Sequence, residues 1–563
     1  MAAGRATQPR VGGPAVARHM TVSRDEQLRL LQRGVDVLVI GGGITGAGVA
    51  LDAASRGYRV GLVEQADFAA GTSSRSTKLV HGGIRYLPQG HVILVRDALR
   101  ERTRLLRLAP HLVRPLPFLL PLYAGARRPL GLRLPAVVRP LIPLGLRAGL
   151  IAYDLFARDP AMRHRPASRA QVEQEVPDLR TDGLRAAFVY YDARTDDVRL
   201  THAVLATARA HAAATVNYAK VVELKHTGGR IAGARIEDRL AGRVFEVDAR
   251  FVVNATGVWA ERVAALDGPP PFRLTHSVGT HLVLRPGAVR TSMAVVIPET
   301  DDGRIAFIVP WAGRFVLGTT DVAYAGDLSS PVASREEVAY LLDHANRYLR
   351  RPLAINDVTA AFAGVRPLVA AAEGLTAALS RDHQVVISPG GLISIVGGKL
   401  TTYRKMAEDT VSAVAAREGR RRQCCTAGLP LAGADGLTEA RAALAEAPLA
   451  PDQLTHLVEH YGSPALEVLA LIRSDPVLGR RLVDSLPVTA AEVVYACRAE
   501  MAVSLTDCLY LRTRLAVLDA AAADTAASAV ATLMTRELGW DAAEGERQHR
   551  VYGERRDRER VLQ

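Results

Sequence analysis

Residues 35–64 read VDVLVIGGGITGAGVALDAASRGYRVGLVE. The apolar, β-branched run 35–40 predicts a buried strand that Gly41–Gly43 ends. ITGAGVALDAASR (44–56) predicts a helix closed by Gly57, and RVGLVE (59–64) a second buried strand. Strand, glycine turn, helix and strand make a βαβ unit. Its glycines stand at Gly41, Gly43 and Gly46. In that spacing the first makes the tight turn, the second lets the backbone approach a pyrophosphate, and the third lets the helix pack close to the sheet. The pyrophosphate sits on the helix N-terminus, where unpaired N–H groups and the dipole favour an anion. Glu64, at the end of the second strand, accepts from ribose hydroxyls and repels a 2′-phosphate, which disfavours NADP. The unit predicts an adenine dinucleotide and by itself leaves FAD and NAD both open.

The surrounding chain has 563 residues, too many for one ordinary core. With 48% hydrophobic and 23% charged residues it has a globular composition. The formal charge of +13 fits an anionic partner (a phosphate substrate or anionic lipid) or an Arg-rich background spread over the surface. No nucleic-acid-binding motif is present, so nucleic acid is not expected. Cys424, Cys425, Cys497 and Cys508 form no CxxC pair, a pattern that suits a reducing compartment without structural metal. Residues 1–34 lack the apolar core of a secretory signal and read as a disordered extension. No stretch is long and apolar enough for a transmembrane helix.

Segment 110–157 interleaves Pro, Leu and single Arg residues and reads either as a core segment of irregular helices or, the preferred reading, as a surface that rests in a membrane headgroup region. The runs SVGTHLVLR, MAVVIP and RIAFIVPWAGRFVLGTT between 277 and 320 predict an antiparallel sheet. LISIV (392–396), a Gly-Gly turn and TTYRKMAEDTVSAV (401–414) predict a strand and a helix. Beyond Pro430 the composition turns helical. The expected fold is α/β: a Rossmann-like nucleotide domain from 35–90, 195–265 and 385–420, an antiparallel-sheet substrate (cap) domain from 91–194 and 266–384, and a helical C-terminal domain at 430–545. That last domain is open to three roles: support of a homodimer, a partner dock or a cap.

TSSRSTKLVHGGIRYL (72–87) places clustered hydroxyls and glycines beside the nucleotide unit, where they can line a pyrophosphate and a flavin ring. The helix after Gly397-Gly398, aimed at a flavin, would stabilise the charge of the reduced ring. With DDVRL (196–200), VVNATG (252–257), PWAGRFVLGTTD (310–321), GVRPL (364–368) and GGKLTTYRKMA (397–407), these segments resemble the FAD-dependent glycerol-3-phosphate dehydrogenases, within the D-amino-acid-oxidase-like flavoproteins. The resemblance covers most of residues 35–540. Arg75 and Thr77 stand where the family usually carries small residues or Ser, and both keep the loop polar.

The resemblance implies non-covalent FAD, sn-glycerol 3-phosphate as substrate, a quinone acceptor, and a peripheral position on the cytoplasmic face of the cell membrane. The cofactor-binding residues expected from the motifs are Gly41, Gly43, Gly46, Glu64, Thr72, Ser73, Ser74, Lys78, His81, Gly82, Ala255, Gly257, Gly398, Leu400 and Thr401. A phosphate dianion wants arginine forks, and Arg85 and Arg366 lie in apolar contexts where a buried cation needs an anion. Lys399 and the Tyr86 hydroxyl join them. His281 is the first choice of base, with His81 second and better suited to a flavin contact. Asp321 and Arg404 are expected to be structural or to support the site residues from behind. The alternatives are a glycerol-3-phosphate oxidase using oxygen, an amino-acid or 2-hydroxy-acid oxidoreductase, a non-enzymatic flavoprotein, and an NAD-dependent dehydrogenase. No metal is expected.

Overall fold

The structure, a computed structural model, describes residues 23–87, 89–124, 141–369 and 383–560. Two sheets and a helical block are built against one another. In the first sheet the strands run Gln384–Ile387, Ile393–Val396, Arg243–Asn254, Val35–Ile40, Val60–Val63 and Ala214–Val216. All pairs from Ile393–Val396 onward in that order are parallel. Such strands are covered on both faces, which is why 35–40 and 60–63 carry almost no polar side chain. The helix Ile44–Ser55 follows the glycine turn and ends where Gly57 takes a left-handed φ of +82°. It packs between the helices Asp197–Ala210 and Tyr403–Glu418. That close packing buries nearly its whole length.

The second sheet orders its strands as Val322–Ala323, Leu274–Leu284, Arg314–Gly318, Ala306–Trp311, Ala294–Ile297, Arg114–Tyr123, Leu184–Arg194 and Leu79–Val80. The long strand Val358–Val369 pairs antiparallel with Leu274–Leu284 along its whole length, setting Phe362 opposite His281 and Arg366 opposite Ser277. This sheet is antiparallel as expected, apart from one short parallel pairing of Ala294–Ile297 with Arg114–Tyr123.

Two expectations are corrected. The extension 1–34 is not irregular throughout: Ser23 caps the helix Arg24–Gln32, which packs against the first sheet through Leu28 and Leu31. The membrane-facing segment 110–157 begins with an interior strand. Leu116, Phe118, Leu120 and Leu122 of Arg114–Tyr123 enter one core and Leu119 enters another. Its prolines, 115, 117 and 121, share one parity and disguise the alternation. Residues 125–140 of that segment lie outside the described residues. The helix Ile142–Ala157 completes it, with Leu150, Tyr153 and Ala157 buried.

The C-terminal helices are welded to the nucleotide unit by buried ion pairs. Arg512 donates to both oxygens of Asp67 at 2.6 and 3.0 Å, and Glu500 accepts both arms of Arg199 at 2.8 and 2.6 Å. Arg514 reaches Asp197 and the Ser74 carbonyl. Each is a pair that is costly to break from one side. The last helix, Ala542–Glu559, runs past the expected end at 545.

Candidate active site

A cavity of about 420 Å³ runs from the N-terminus of Ile44–Ser55 to the second sheet. At its nucleotide end lie Gly41, Gly43, Glu64, Ser73, Ala255 and Gly257. The Glu64 carboxylate accepts from the backbone N–H of Gly42 and Ala66 at 2.7 and 2.9 Å, which fixes it at the strand end. Burial pushes its pKa up, against those same hydrogen bonds. Ser73 Oγ accepts from Ile44 N at 2.9 Å and so tethers the 72–74 turn to the helix start. Gly46 sits behind the cavity. A Cβ there would stand 1.9 Å from the Gly41 carbonyl oxygen, so only glycine allows the helix to seat. Gly46→Ala is therefore expected to lose bound flavin and thermal stability together, read as the flavin-to-protein absorbance ratio and Tm. Full flavin content at an unchanged Tm would contradict this packing role.

The middle of the cavity is lined by Thr72, His81, Gly398, Leu400 and Thr401. Thr401 Oγ1 accepts from His81 N at 3.1 Å, joining two distant loops. Besides Gly46, three expected cofactor residues are not on the wall. Ser74 is buried, its hydroxyl on Gly71 O and its carbonyl accepting from Lys78 and Arg514. Lys78 is fully buried, its Nζ 2.8 and 2.7 Å from the two oxygens of Asp197. Burial brings its pKa down to about 8, with Asp197 opposing that shift. Gly82 donates to Tyr153 Oη and Asp192 at 3.0 and 3.1 Å and packs on Leu99. Their loop lines the cofactor cavity, but these three turn inward and hold its shape.

At the far end the second sheet and the loops bring together Arg85, Tyr86, His281, Arg304, Asp321, Arg366 and Lys399. Arg85 donates to Tyr86 Oη at 2.8 Å, and Lys399 Nζ lies 4.0 Å from the centre of the Tyr86 ring. Arg366 donates to Asp321 Oδ1 at 3.1 Å and to Thr319 Oγ1 at 2.8 Å. A Cβ on Gly279 would fall 2.1 Å from its guanidinium, so glycine makes room for that arm. Arg304 also pairs with Asp321, at 3.2 Å. Arg85, Arg304, Arg366 and Lys399 thus line this end of the cavity, with Asp321 shared by two of them and Asp302 also on Arg304.

Both histidines are held neutral. Burial drives His281 well below the usual imidazole range, and Arg366 and Lys78 push the same way. Burial, then Lys399, Arg85 and Arg102, bring His81 down to about 3. A neutral imidazole in a cationic pocket can accept a proton.

Sequence reasoning did not single out Arg304, which reaches the cavity from the turn before Ala306–Trp311. Nothing local in DDGR marks it. Asp321 lies behind the cation cluster, its carboxylate on Arg366 and Arg304. Arg404 is held inside, bidentate on Glu101 at 2.7 and 2.8 Å. Among the described residues no group of His, Cys, Asp and Glu could hold a metal ion.

The architecture has known relatives. The family model for FAD dependent oxidoreductases matches residues 36–404, and that for the C-terminal domain of alpha-glycerophosphate oxidase matches 424–545. The mitochondrial glycerol-3-phosphate dehydrogenase of Homo sapiens is 38% identical over 546 residues, 92% of this chain and 73% of that protein. Glycerol-3-phosphate dehydrogenase 2 of Mycobacterium tuberculosis is 37% identical over 530 residues, 92% and 88% of the two chains. The solved glycerol-3-phosphate dehydrogenase of Bacillus halodurans, complexed with FAD, superposes with a TM-score of 0.78 at 32% identity, covering 96% of this chain and 98% of that one. The glycine turn, the Glu64 carboxylate and the helix start fit FAD, and FAD is the cofactor. The chain belongs to the FAD-dependent glycerol-3-phosphate dehydrogenases, within the wider family of FAD-dependent oxidoreductases.

Proposed function

We propose that this chain oxidises sn-glycerol 3-phosphate to dihydroxyacetone phosphate and passes the electrons to a membrane quinone. The observation that carries the substrate is the cluster of Arg85, Arg304, Arg366 and Lys399 at one end of the cavity, two of them sharing Asp321. A phosphate dianion balances that excess, and guanidinium forks match its oxygens. A carboxylate substrate would leave more of the charge uncompensated.

FAD, when bound, supplies the two-electron acceptor that takes the C2 hydride. The protein's share is to grip, orient and deprotonate. Arg366, fixed by Asp321 and Thr319, holds the phosphate with Arg304. Arg85, Tyr86 and Lys399 close on it from the loops. His281 accepts the C2 hydroxyl proton at a ring nitrogen kept neutral by its surroundings, with His81 as the second candidate.

The quinone reading is supported by an apolar surface. The helix Ile142–Ala157 leaves Leu144, Ile151 and Leu155 at 68%, 48% and 68% exposure, and Ile93 on a neighbouring helix is 67% exposed. Leu144, Ile151 and Leu155 recur at helical spacing on one face, suited to the headgroup boundary of the cytoplasmic leaflet. No helix among the described residues is long and apolar enough to cross a membrane.

The test is turnover on anionic vesicles carrying a quinone, in air. Quinol formed one-for-one with product, without peroxide, is expected. Leu144→Glu with Leu155→Glu should move the protein off the vesicles and cut quinol formation while leaving turnover with a soluble dye acceptor intact. Stoichiometric peroxide with no quinol would instead make the protein an oxidase.

A further inference from the structure

Thr77 lies on the cavity wall, and its Oγ1 is 2.9 Å from His281 Nε2. The imidazole is 2% exposed. It stacks on Phe362 with ring centroids 4.8 Å apart and planes 14° from parallel. Its other edge packs on Gly318, where an added Cβ would stand 2.5 Å from His281 Cδ2. These contacts fix the plane of the ring. They do not fix which edge faces the cavity, because a half-turn about χ2 keeps the plane and exchanges each nitrogen with a carbon. Nδ1 is buried with no side-chain hydrogen-bond partner, and the Gly279 backbone stands beside the ring. Thr77 is thus the hydrogen-bonding side chain that tells the two orientations apart.

The chain on either side of Thr77 is built to hold it still. Ser76 donates to Asp197 Oδ2 through its N–H at 2.9 Å and its hydroxyl at 2.7 Å. Lys78, in the left-handed region at φ +62°, puts its Nζ on the same carboxylate. Arg514 of the helical domain joins at Asp197 and at the Ser74 carbonyl. Both neighbours of Thr77 are therefore tied to one fully buried acid.

We infer that Thr77 is a proton relay: its hydroxyl, on the cavity wall, holds the His281 ring by Nε2 and hands the substrate proton on to that nitrogen. The inference rests on the reading of His281 as the base. A hydroxyl suits this task because it both donates and accepts. It donates to the Nε2 lone pair before transfer; its own proton passes to Nε2 as its oxygen takes the proton of the C2 hydroxyl, and it then accepts from Nε2–H. It therefore keeps one orientation in both protonation states. The charged groups around the ring are Arg366, with Asp321 behind it, on the sheet side, and Lys78 with Asp197 on the loop side. None of them makes that distinction.

The experiment is rapid mixing of the FAD-loaded enzyme with sn-glycerol 3-phosphate under anaerobic conditions, for wild type, Thr77→Val, Thr77→Ser and His281→Asn. Flavin content and Tm are recorded for each. Thr77→Val is expected to slow flavin reduction about 10²-fold, because the substrate proton loses its path to Nε2. The saturation constant should stay within about 2-fold, because the phosphate ligands are untouched. Thr77→Ser should restore the rate. If Val disturbs the loop, seen as lost flavin, Thr77→Ala takes its place in the same comparison. A wild-type rate in the Val variant would overturn the inference, as would a Ser variant no better than Val or an equal loss in rate and saturation. A slow His281→Asn beside a fast Thr77→Val would sink this inference alone. A fast His281→Asn would sink the underlying reading of the base.

Discussion

Replacing Arg366 by Ala should lower kcat/KM for sn-glycerol 3-phosphate by about 10²- to 10³-fold, with FAD still bound, because it removes one member of a half-buried, hydrogen-bonded charge pair. Arg366 is expected to dominate because it is the most tightly framed cation at this end of the cavity. Asp321, Thr319 and the Thr320 carbonyl hold its guanidinium, and Gly279 makes room for it. Its loss would also strip Asp321, near the substrate phosphate, of an arginine partner. The effect should fall mainly on KM, since the phosphate is bound alike in ground and transition states. Arg366→Lys should recover little, because a point charge does not reproduce the fork. Steady-state kinetics with a soluble acceptor measures this. An unchanged kcat/KM would remove the phosphate anchor.

The second large effect is on the chemical step. His281→Asn should lower kcat about 10²- to 10⁴-fold, the usual worth of a positioned base. KM should change little. The wild-type pH profile carries a related signature. The folded-state pKa of His281 lies well below the ordinary imidazole value, first through burial and then through Arg366 and Lys78. The ring is therefore already neutral through the range near pH 6.5 where a free imidazole loses its proton. In the free enzyme, kcat/KM should then show no acid limb from this group near pH 6.5. Its activity should decline only as the pH falls through the depressed value. An acid limb at the ordinary imidazole pKa that disappears in His281→Asn would contradict this placement of the charges.

Much of the architecture was legible because its signals are local. The strand 35–40, the glycine turn and the helix from Ile44 form a contiguous pattern whose physics is complete within thirty residues. The strand Leu274–Leu284 could be read from its own alternation. Other features depend on what folding brings together. Thr77 and His281 are 204 positions apart, and no property of either announces the pair. Arg304 gains its place from the turn before Ala306–Trp311 and from Asp321 opposite. Within 72–87, sequence proximity to the cofactor could not say which way each side chain turns. Lys78 and the Gly82 N–H turn inward to Asp197 and Asp192, and the Ser74 hydroxyl turns to the Gly71 carbonyl. The strand Arg114–Tyr123 was hidden by its prolines, which local propensity places outside sheets. The anchoring of the helical domain through Arg512, Glu500 and Arg514 was equally invisible.

Anaerobic titration of the purified protein with sn-glycerol 3-phosphate, followed at the flavin absorption band, tests the central claim most directly. One equivalent should bleach the flavin and yield one equivalent of dihydroxyacetone phosphate, while glycerol, lactate and amino acids leave the band unchanged. A flavin that stays oxidised with sn-glycerol 3-phosphate, or is bleached equally by an amino acid, would contradict it.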